Sequence, residues 1–283
     1  MQPLLLLAFI VFFSGCRQMT IETDPVPTDA TIDANEAPAF NRELIINIAG
    51  DSIAAYALIA KNKTPKATVI LIPGYPGNDN NFDLAQALRK NAYNVILFNH
   101  RGAWGSQGQY SYSNCLEDVE ALVDYFGQTK VAADLRIAPD RFSLIGRSYG
   151  GGIALLKGHE LAAVKNIIAI TSVNYGSLMQ QYNSLEELSG YRRYMRKQIM
   201  MQHDIDAFLQ ELLDKKNSFN IANYKTAIAQ KRVLLIDDSD KNKDWIDALE
   251  GVQSVVLPSD HNFIETREQL IQLVLDWMKE APK

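Results

Sequence analysis

Hydrophobic and polar positions change their period several times along this chain. Residues 44–48 and 53–60 are short apolar segments joined by a Gly50-Asp51 turn, which predicts a β-hairpin. Residues 67–72 form a continuous apolar run, typical of a strand buried on both faces of a sheet. Similar short runs predict strands at 93–98, 142–145, 165–170, 232–236 and 254–257. Apolar residues at helical spacing predict helices over 82–91, 115–126 and 264–278, with another beginning at 151.

This alternation of strands and helices predicts an α/β fold, with a mostly parallel, doubly wound sheet covered by helices on both faces. One region departs from it. About 60 residues separate the strands ending at 170 and starting at 232, more than a single crossover helix needs. Apolar residues recur there at helical spacing, and Asp204 could cap a second helix; the first set is Leu185, Leu188, Met195 and Ile199. We therefore predict an inserted helical lid at about residues 174–228, overhanging the carboxyl edge of the sheet.

The predicted lid also carries a basic cluster on the face opposite those apolar residues. Its members are Arg192, Arg193, Arg196 and Lys197. A solvated helix face is the simplest interpretation. Contact with anionic lipid headgroups or with an acidic substrate is the alternative.

The first 16 residues contain an apolar block of about ten residues that ends in small residues. The block is too short to span a bilayer as a helix and suits a secretory signal. Its end, Phe-Ser-Gly-Cys at 13–16, resembles the bacterial lipoprotein signal, which implies lipidation of Cys16. Arg17 directly follows the lipidation site, where an aspartate would favour retention in the inner membrane, and so favours localisation in the outer membrane. A plain signal peptide and a retained interfacial anchor are the alternatives. We expect a signal peptide over 1–15, a flexible tether over 16–41 and one domain over 42–283.

Composition narrows the range of partners. A chain of 283 residues, 47% of them apolar, can bury one large core. A net charge of −5 argues against a nucleic-acid partner, whose phosphates would need a basic face. The two cysteines, Cys16 and Cys115, allow at most one disulfide. With a lipid on Cys16, Cys115 is expected to be an unpaired, buried helix residue.

Chemistry is suggested first by Gly-Arg-Ser-Tyr-Gly at 146–150, between a predicted strand and a predicted helix. A G-x-S-x-G turn in this context lifts the serine hydroxyl, here that of Ser148, out of the backbone at the carboxyl edge of a sheet. The alternative is a glycine-rich turn in which Ser148 only caps the following helix.

A serine nucleophile needs a base and an orienting acid. Of the four histidines, His261 follows the last strand and is the predicted base, whereas the neighbours of His100 suggest a structural turn. The loop after residue 236 offers Asp237, Asp238 and Asp240 as the acid. We favour Asp240, which extends furthest into the loop, with Asp238 as the second choice.

A developing oxyanion needs backbone N–H donors. Tyr149, directly after the serine, is one candidate. The Gly/Pro-rich loop at 73–77 supplies the other candidate. Because Pro76 has no N–H and cannot donate, we assign this role to Tyr75. Together with the loop at 99–106, which resembles an Arg-Gly-x-Gly-x-Ser loop, these motifs make residues 42 to 280 resemble the α/β-hydrolase superfamily. Pro73 stands where many members have histidine, and Asp237-Asp238 replaces the usual His-Gly before the acid.

The resemblance implies a serine hydrolase with Ser148, Asp240 and His261 in that chain order, and with no metal or cofactor. Trp104, Tyr175 and Met179 near the mouth suggest a partly apolar, small-molecule acyl substrate, which favours a carboxylic ester. A peptidase, with lid carboxylates such as Glu186 and Glu187 holding an amine, is one alternative. An acyltransferase and a non-catalytic, lipid-anchored binding protein are the others.

Overall fold

A computed structural model describes residues 37–61, 63–77 and 81–280. The predicted signal peptide, the lipidation site Cys16 and nearly all of the predicted tether lie outside the described residues. Eight strands form one sheet in the order β1-β2-β4-β3-β5-β6-β7-β8. The strands are β1 (Phe40–Ile48), β2 (Asp51–Ile59), β3 (Lys66–Ile72), β4 (Asn94–Phe98), β5 (Ile137–Arg147), β6 (Val164–Ile170), β7 (Arg232–Asp237) and β8 (Gln253–Val256).

The pairing of these strands confirms the predicted sheet. β1 and β2 form the predicted hairpin, and β2 lies antiparallel to β4. All the other neighbours, from β4 across to β8, are parallel. β1 begins at Phe40, slightly before the predicted domain boundary at residue 42.

Ten α-helices are described. They are α1 (Phe82–Lys90), α2 (Tyr112–Gly127), α3 (Thr129–Asp134), α4 (Tyr149–Gly158), α5 (Tyr175–Met179), α6 (Ser189–Met195), α7 (Ile205–Asp214), α8 (Lys225–Ile228), α9 (Lys243–Asp247) and α10 (Arg267–Lys279). Short 3-10 helices cover Ile221–Tyr224 and Asp240–Asn242. None of the helices in the described part of the chain is long and apolar enough to cross a membrane.

Helices cover both faces of the sheet, which explains the continuous apolar runs of the central strands. Along β3, Ile70 and Ile72 join the cluster that contains the apolar side chains of α2 and α4. Val69 and Leu71 point to the opposite cluster, with those of α1 and α10. Because successive side chains of a strand alternate between faces, a strand packed on both sides needs apolar residues at every position.

Two elements differ from the prediction. β5 begins at Ile137 rather than near residue 142, because its exposed Pro139, Asp140 and Arg141 interrupt the apolar run without ending the strand. The short helix α3 was not predicted. Its six residues are too few to display a helical period.

The long segment between β6 and β7 holds α5 to α8, and we call residues 171–231 the helical insertion. Asp204 caps α7 as predicted, since its Oδ1 accepts a hydrogen bond of 3.0 Å from the Ala207 N–H. The preceding helix is shorter than predicted. α6 ends at Met195, so Ile199 leaves the helical repeat and is 91% exposed. Its assignment to the buried face was therefore wrong.

The topology marks one place on the sheet where a ligand can bind. After β3 the chain adds β4 on one side, and then returns to add β5 on the other. In an open parallel sheet, the loops leaving two such strands diverge and create a crevice at their carboxyl ends. The loop after β3 carries Tyr75, and the turn after β5 carries Ser148. The fold therefore brings the predicted nucleophile and a predicted oxyanion donor to the two sides of one crevice.

Candidate active site

Ser148 forms the turn between β5 and α4. Its backbone has φ 54° and ψ −117°, a conformation that non-glycine residues rarely adopt. The turn is held by hydrogen bonds, since the Ser148 N–H donates to Ile170 O at 2.8 Å and its carbonyl accepts from Val173 N–H at 3.2 Å. Strained backbone held in this way is typical of functional sites.

The two glycines that flank the serine are required by close packing. A β-carbon at Gly146 would overlap the carbonyl of Gly150. A β-carbon at Gly150 would overlap the carbonyls of Ile72 and Pro73 at the end of β3. The turn therefore presses against the start of the loop that carries Tyr75, and only glycine permits this approach.

The side chain of Ser148 does not cap α4, because it accepts no hydrogen bond from the first turn of that helix. The alternative role proposed for this serine is therefore wrong. Its hydroxyl is half-buried and makes no hydrogen bond with any described residue.

His261 lies in the loop between β8 and α10, and its imidazole is 45% exposed. Its Nδ1 lies 3.3 Å from Asp238 Oδ2 and 3.1 Å from Thr171 Oγ1. An ionised Asp238 favours the tautomer with the proton on Nδ1, which leaves Nε2 able to accept a proton. In the described part of the chain no hydrogen bond joins this imidazole to Ser148. Catalytic hydrogen bonds are often long without substrate and tighten in the reactive complex.

Asp238 is only 5% exposed and is surrounded by donors. Its Oδ2 accepts from Lys241 Nζ at 2.6 Å and from Thr171 Oγ1 at 2.9 Å, and its Oδ1 accepts from Ser239 Oγ at 2.9 Å. Burial acts to raise the pKa of Asp238, but the hydrogen bonds from Lys241, Ser239 and Thr171 outweigh it and lower that pKa. The carboxylate beside His261 is therefore held in its charged form.

The geometry favours Asp238, the second choice, over Asp240 as the acid. Asp240 is exposed, begins a 3-10 helix, and makes no hydrogen bond to His261 in the described chain. The loop turns back on itself here instead of extending, so the residue furthest along is not the one with the greatest reach. Asp237 is buried, accepts from the Asp238 N–H at 2.9 Å, and has its pKa raised by burial. Asp238 is thus the partner of the imidazole.

Within the described part of the chain, both predicted oxyanion donors have an unbonded backbone N–H. Neither the Tyr75 nor the Tyr149 backbone N–H finds an acceptor among the described residues. Tyr149 opens α4, where the first N–H groups have no partner within the helix. Such unpaired donors at a crevice are suited to binding an anionic oxygen. Their role stays a prediction.

The residues predicted to contact substrate lie in three different settings. Trp104 is half-buried, and its Nε1 donates to Pro76 O at 2.7 Å, which braces the loop of Tyr75. Tyr175 is half-buried and packs edge-on against Tyr149, with 5.6 Å between ring centroids. Met179 is fully buried in the core of the insertion. Substrate contact stays a prediction for all three, with the least direct access at Met179.

The remaining histidines have structural roles. His100 Nδ1 lies 3.1 Å from Asp118 Oδ2, His159 Nδ1 lies 2.9 Å from Leu155 O, and His203 Nε2 lies 3.1 Å from the Tyr75 hydroxyl. The interpretation of His100 as part of a structural turn agrees with its full burial. His261 differs from His100 in that its imidazole is 45% exposed as well as beside a carboxylate.

One buried cluster offers metal-ligand atoms. His100, Cys115 and Asp118 bring a nitrogen, a sulfur and an oxygen within 4.8 Å of one another. Asp118 is already neutralised by Arg101, whose Nε donates at 2.5 Å. Burial also raises the pKa of the Cys115 thiol well above its usual value, which disfavours the thiolate that a metal requires. The cluster acts as an ion-pair network, and Cys115 is a free, buried thiol as expected.

Comparison with known proteins agrees with this geometry. Residues 69–273 match the model of an alpha/beta hydrolase family. The matched region runs from β3 to α10 and includes Ser148, Asp238 and His261. The chain belongs to the alpha/beta hydrolase family.

Several solved structures have a fold similar to that of this hydrolase. The alpha/beta hydrolase GrgF from Penicillium sp. sh18 has a TM-score of 0.63 at 17% identity, over 86% of this chain and 98% of that one. Est1E from Butyrivibrio proteoclasticus with bound ferulic acid has a TM-score of 0.67 at 14% identity, over 84% of this chain and 98% of that one. The Pyrococcus furiosus esterase Pf2001 has a TM-score of 0.60 at 15% identity, over 85% of this chain and 92% of that one.

A relative with higher sequence identity covers less of the chain. The uncharacterized protein YfhR of Salmonella typhimurium is 31% identical over 110 residues, which are 38% of this hydrolase and 34% of YfhR. The match thus spans about a third of that protein.

Three residues of the hydrolase site were missed by sequence reasoning. Arg147 Nη1 donates to His261 O at 2.8 Å and to Asn262 Oδ1 at 3.0 Å, and so ties the histidine loop to the serine turn. Thr171 lies within hydrogen-bond distance of both the acid and the imidazole, and Lys241 pairs with the acid. Arg147 occupies the position before the serine at which the G-x-S-x-G pattern allows any residue, so the motif did not mark it. The other two depend on long-range proximity.

Proposed function

We propose that this protein is a serine hydrolase that cleaves a carboxylic ester through an acyl-enzyme on Ser148. The observation that carries the proposal is the strained turn of Ser148 in the same carboxyl edge as the Asp238–His261 pair. The correct tautomer of His261 and a free serine hydroxyl are what the chemistry needs.

In this mechanism Ser148 Oγ attacks the ester carbonyl carbon while His261 Nε2 takes its proton. The N–H groups of Tyr75 and Tyr149 stabilise the resulting oxyanion. When the C–O bond breaks, the imidazolium returns the proton to the leaving alcohol and an acyl-serine remains. Water then attacks the acyl carbon, again giving its proton to His261, and the carboxylic acid leaves with Ser148 regenerated. Asp238 balances the imidazolium charge in both steps.

An ester is favoured over an amide by the surroundings of the crevice. The ring of Tyr75 packs within 6.2 Å, between centroids, of those of Tyr149 and Tyr194, and forms an aromatic wall beside the predicted oxyanion donor. Such a wall suits an apolar acyl or alkyl group. Glu186 and Glu187, the candidates for binding an amine, are both exposed. The similar structure Pf2001 of Pyrococcus furiosus is named as an esterase, which supports the same choice.

The proposal is tested by labelling with a fluorophosphonate and by a panel of substrates. We expect the wild type to be labelled and Ser148→Ala to be unlabelled, with Ser113→Ala as a control on another part of the surface. Equal labelling of Ser148→Ala would place the nucleophile elsewhere. Short and long p-nitrophenyl esters should be cleaved faster than amino-acid p-nitroanilides. The reverse order would favour a peptidase, and turnover only with an added alcohol would favour an acyltransferase.

We also propose that the protein is exported and anchored to a bacterial membrane through a lipid on Cys16. The support is the apolar block and the Phe-Ser-Gly-Cys sequence that ends at Cys16. Cells grown with radiolabelled palmitate should incorporate label into the wild type but not into Cys16→Ser. Equal incorporation in the two proteins, or none in either, would contradict lipidation at this residue.

A further inference from the structure

Residues 193–200 of the helical insertion, which we call the basic apolar segment, combine exposed apolar side chains with cations that have no carboxylate partner among the described residues. We propose that this segment docks on an anionic lipid bilayer. The inference does not depend on the proposed ester chemistry, because membrane contact is measured without turnover.

The first observation is the exposure of its apolar residues. Ile199 is 91% exposed, and Tyr194 and Met200 are each 47% exposed. Tyr194 precedes the buried Met195 in the last turn of α6, and Ile199 and Met200 follow the end of that helix. Single exposed apolar residues are ordinary, but three within seven residues form a patch of the kind that marks an interaction site.

The second observation is the charge of the segment. Arg193, Arg196 and Lys197 are exposed, and none of them has a carboxylate partner in the described part of the chain. The neighbouring Arg192 differs, because its Nε donates to Asp206 Oδ1 at 2.7 Å and holds α6 to α7. No Asp or Glu occurs from residue 188 to 203, although the whole protein has a net charge of −5. The segment is therefore a local positive surface on an acidic protein.

Cations beside exposed apolar groups match one class of partner in particular. Lys and Arg bind the phosphates of anionic headgroups, while Ile and Met enter the boundary of the acyl chains and Tyr prefers the interface between them. A nucleic acid would match the cations but leave Ile199 in water. An anionic bilayer accounts for both halves of the pattern.

The segment lies beside the candidate active site. The backbone N–H of Trp104 donates to Met200 O at 3.0 Å, and the Tyr194 ring centroid is 5.9 Å from that of Tyr75. Ala103 also forms an isolated β-bridge with Met201. Docking through this segment would therefore place the loop of Tyr75 next to the lipid surface, where amphiphilic substrates are concentrated.

The test uses the full chain with a fluorescent reporter on the segment. Cys16→Ser and Ile199→Cys together leave one reactive thiol for an NBD label, because Cys115 is buried and its pKa is raised. The same label on Ile45→Cys, a 73% exposed residue of β1, is the matched control. The probes are phosphatidylcholine vesicles, either alone or with about 30% phosphatidylglycerol, in low salt.

We expect NBD at position 199 to brighten with the anionic vesicles only, and to lose the signal in high salt, while NBD at position 45 stays unchanged. Replacing Arg193, Arg196 and Lys197 with Gln should weaken vesicle binding on the order of 100-fold. The same change at three exposed lysines elsewhere, Lys90, Lys130 and Lys225, should alter it by less than about threefold. Ile199→Ser without a label should reduce binding roughly tenfold in a flotation assay.

Several outcomes would overturn the proposal. These are no change at position 199 with either vesicle, equal brightening at positions 45 and 199, or unchanged binding after loss of the three cations. Brightening that rises with protein concentration in the absence of vesicles would instead mean that a second copy of the chain covers the segment.

Discussion

Asp238→Asn is the change that most directly tests the geometry of the site. Asparagine keeps the shape of the side chain and removes its charge. Its oxygen can stay with Lys241 and Thr171, while its amide group takes the place of Oδ1 beside Ser239. The fold should therefore survive, and the main loss is the negative charge that faces His261.

The size of this loss can be worked from the distance. A unit charge 3.3 Å from an imidazolium interacts by about 5 kcal/mol at an effective dielectric constant of about 20. His261 is 45% exposed, and the Lys241 ammonium shares the same oxygen, so solvent and the second cation reduce that value. We expect a fall in kcat of about 10³-fold, equivalent to about 4 kcal/mol in the activation barrier.

The assay is steady-state hydrolysis of the best p-nitrophenyl ester, with thermal unfolding followed by circular dichroism to verify the fold. Asp240→Asn is the matched control, since this exposed carboxylate makes no hydrogen bond to His261 in the described chain. It should change kcat by less than about twofold, as surface substitutions usually do. A severe loss in Asp240→Asn beside a mild one in Asp238→Asn would refute the assignment of Asp238.

Three further predictions concern residues around the turn. Arg147→Gln should lower kcat by about 10- to 100-fold with little change in melting temperature, because it releases the histidine loop. Arg147→Lys should recover part of the activity. An unchanged kcat in Arg147→Gln would contradict the role of Arg147 in holding that loop. Gly150→Ala should destabilise the protein by about 3 kcal/mol or more in denaturant unfolding, whereas Gly190→Ala, with open space around it, should be neutral or slightly stabilising; equal effects would refute the packing argument. Because the pKa of Asp238 is lowered in the fold, its charge stabilises the protein above the unfolded value of 3.8. The excess stability of the wild type over Asp238→Asn should therefore shrink as pH falls below about 4 in a melting series, and a gap that widens there would contradict it.

The central strands and the serine turn could be predicted because their signals are local. A strand buried on both faces must be apolar at every position, and a turn that presses against β3 must have glycines. Both features can therefore be recognised from a short stretch of consecutive residues. The acid could not be chosen in this way. Asp237, Asp238 and Asp240 have the same side chain, so the sequence does not distinguish them. Which one contacts His261 depends on the path of the chain after β7.

The insertion illustrates the same limit. Leu188 and Met195 are buried as their spacing predicted, but Ile199 falls beyond the end of α6, and periodicity does not reveal where a helix stops. The partners of the imidazole were also out of reach. Thr171 and Lys241 are 90 and 20 residues from His261 in sequence, and neither belongs to a motif.

The order of the strands explains why these unpredicted residues matter. The serine leaves β5, Thr171 leaves β6, the acid leaves β7 and the histidine follows β8, so the four lie in sequence across one edge of the sheet. Adjacent strands are about 4.8 Å apart, so the histidine loop must cross roughly 14 Å to reach the serine. Arg147 bridges part of that interval from the end of β5, because its guanidinium donates to the carbonyl of His261. This contact holds the backbone of the histidine while Thr171 and Asp238 hold its ring, so residues from the ends of β5, β6 and β7 together position the imidazole at the edge that carries Ser148.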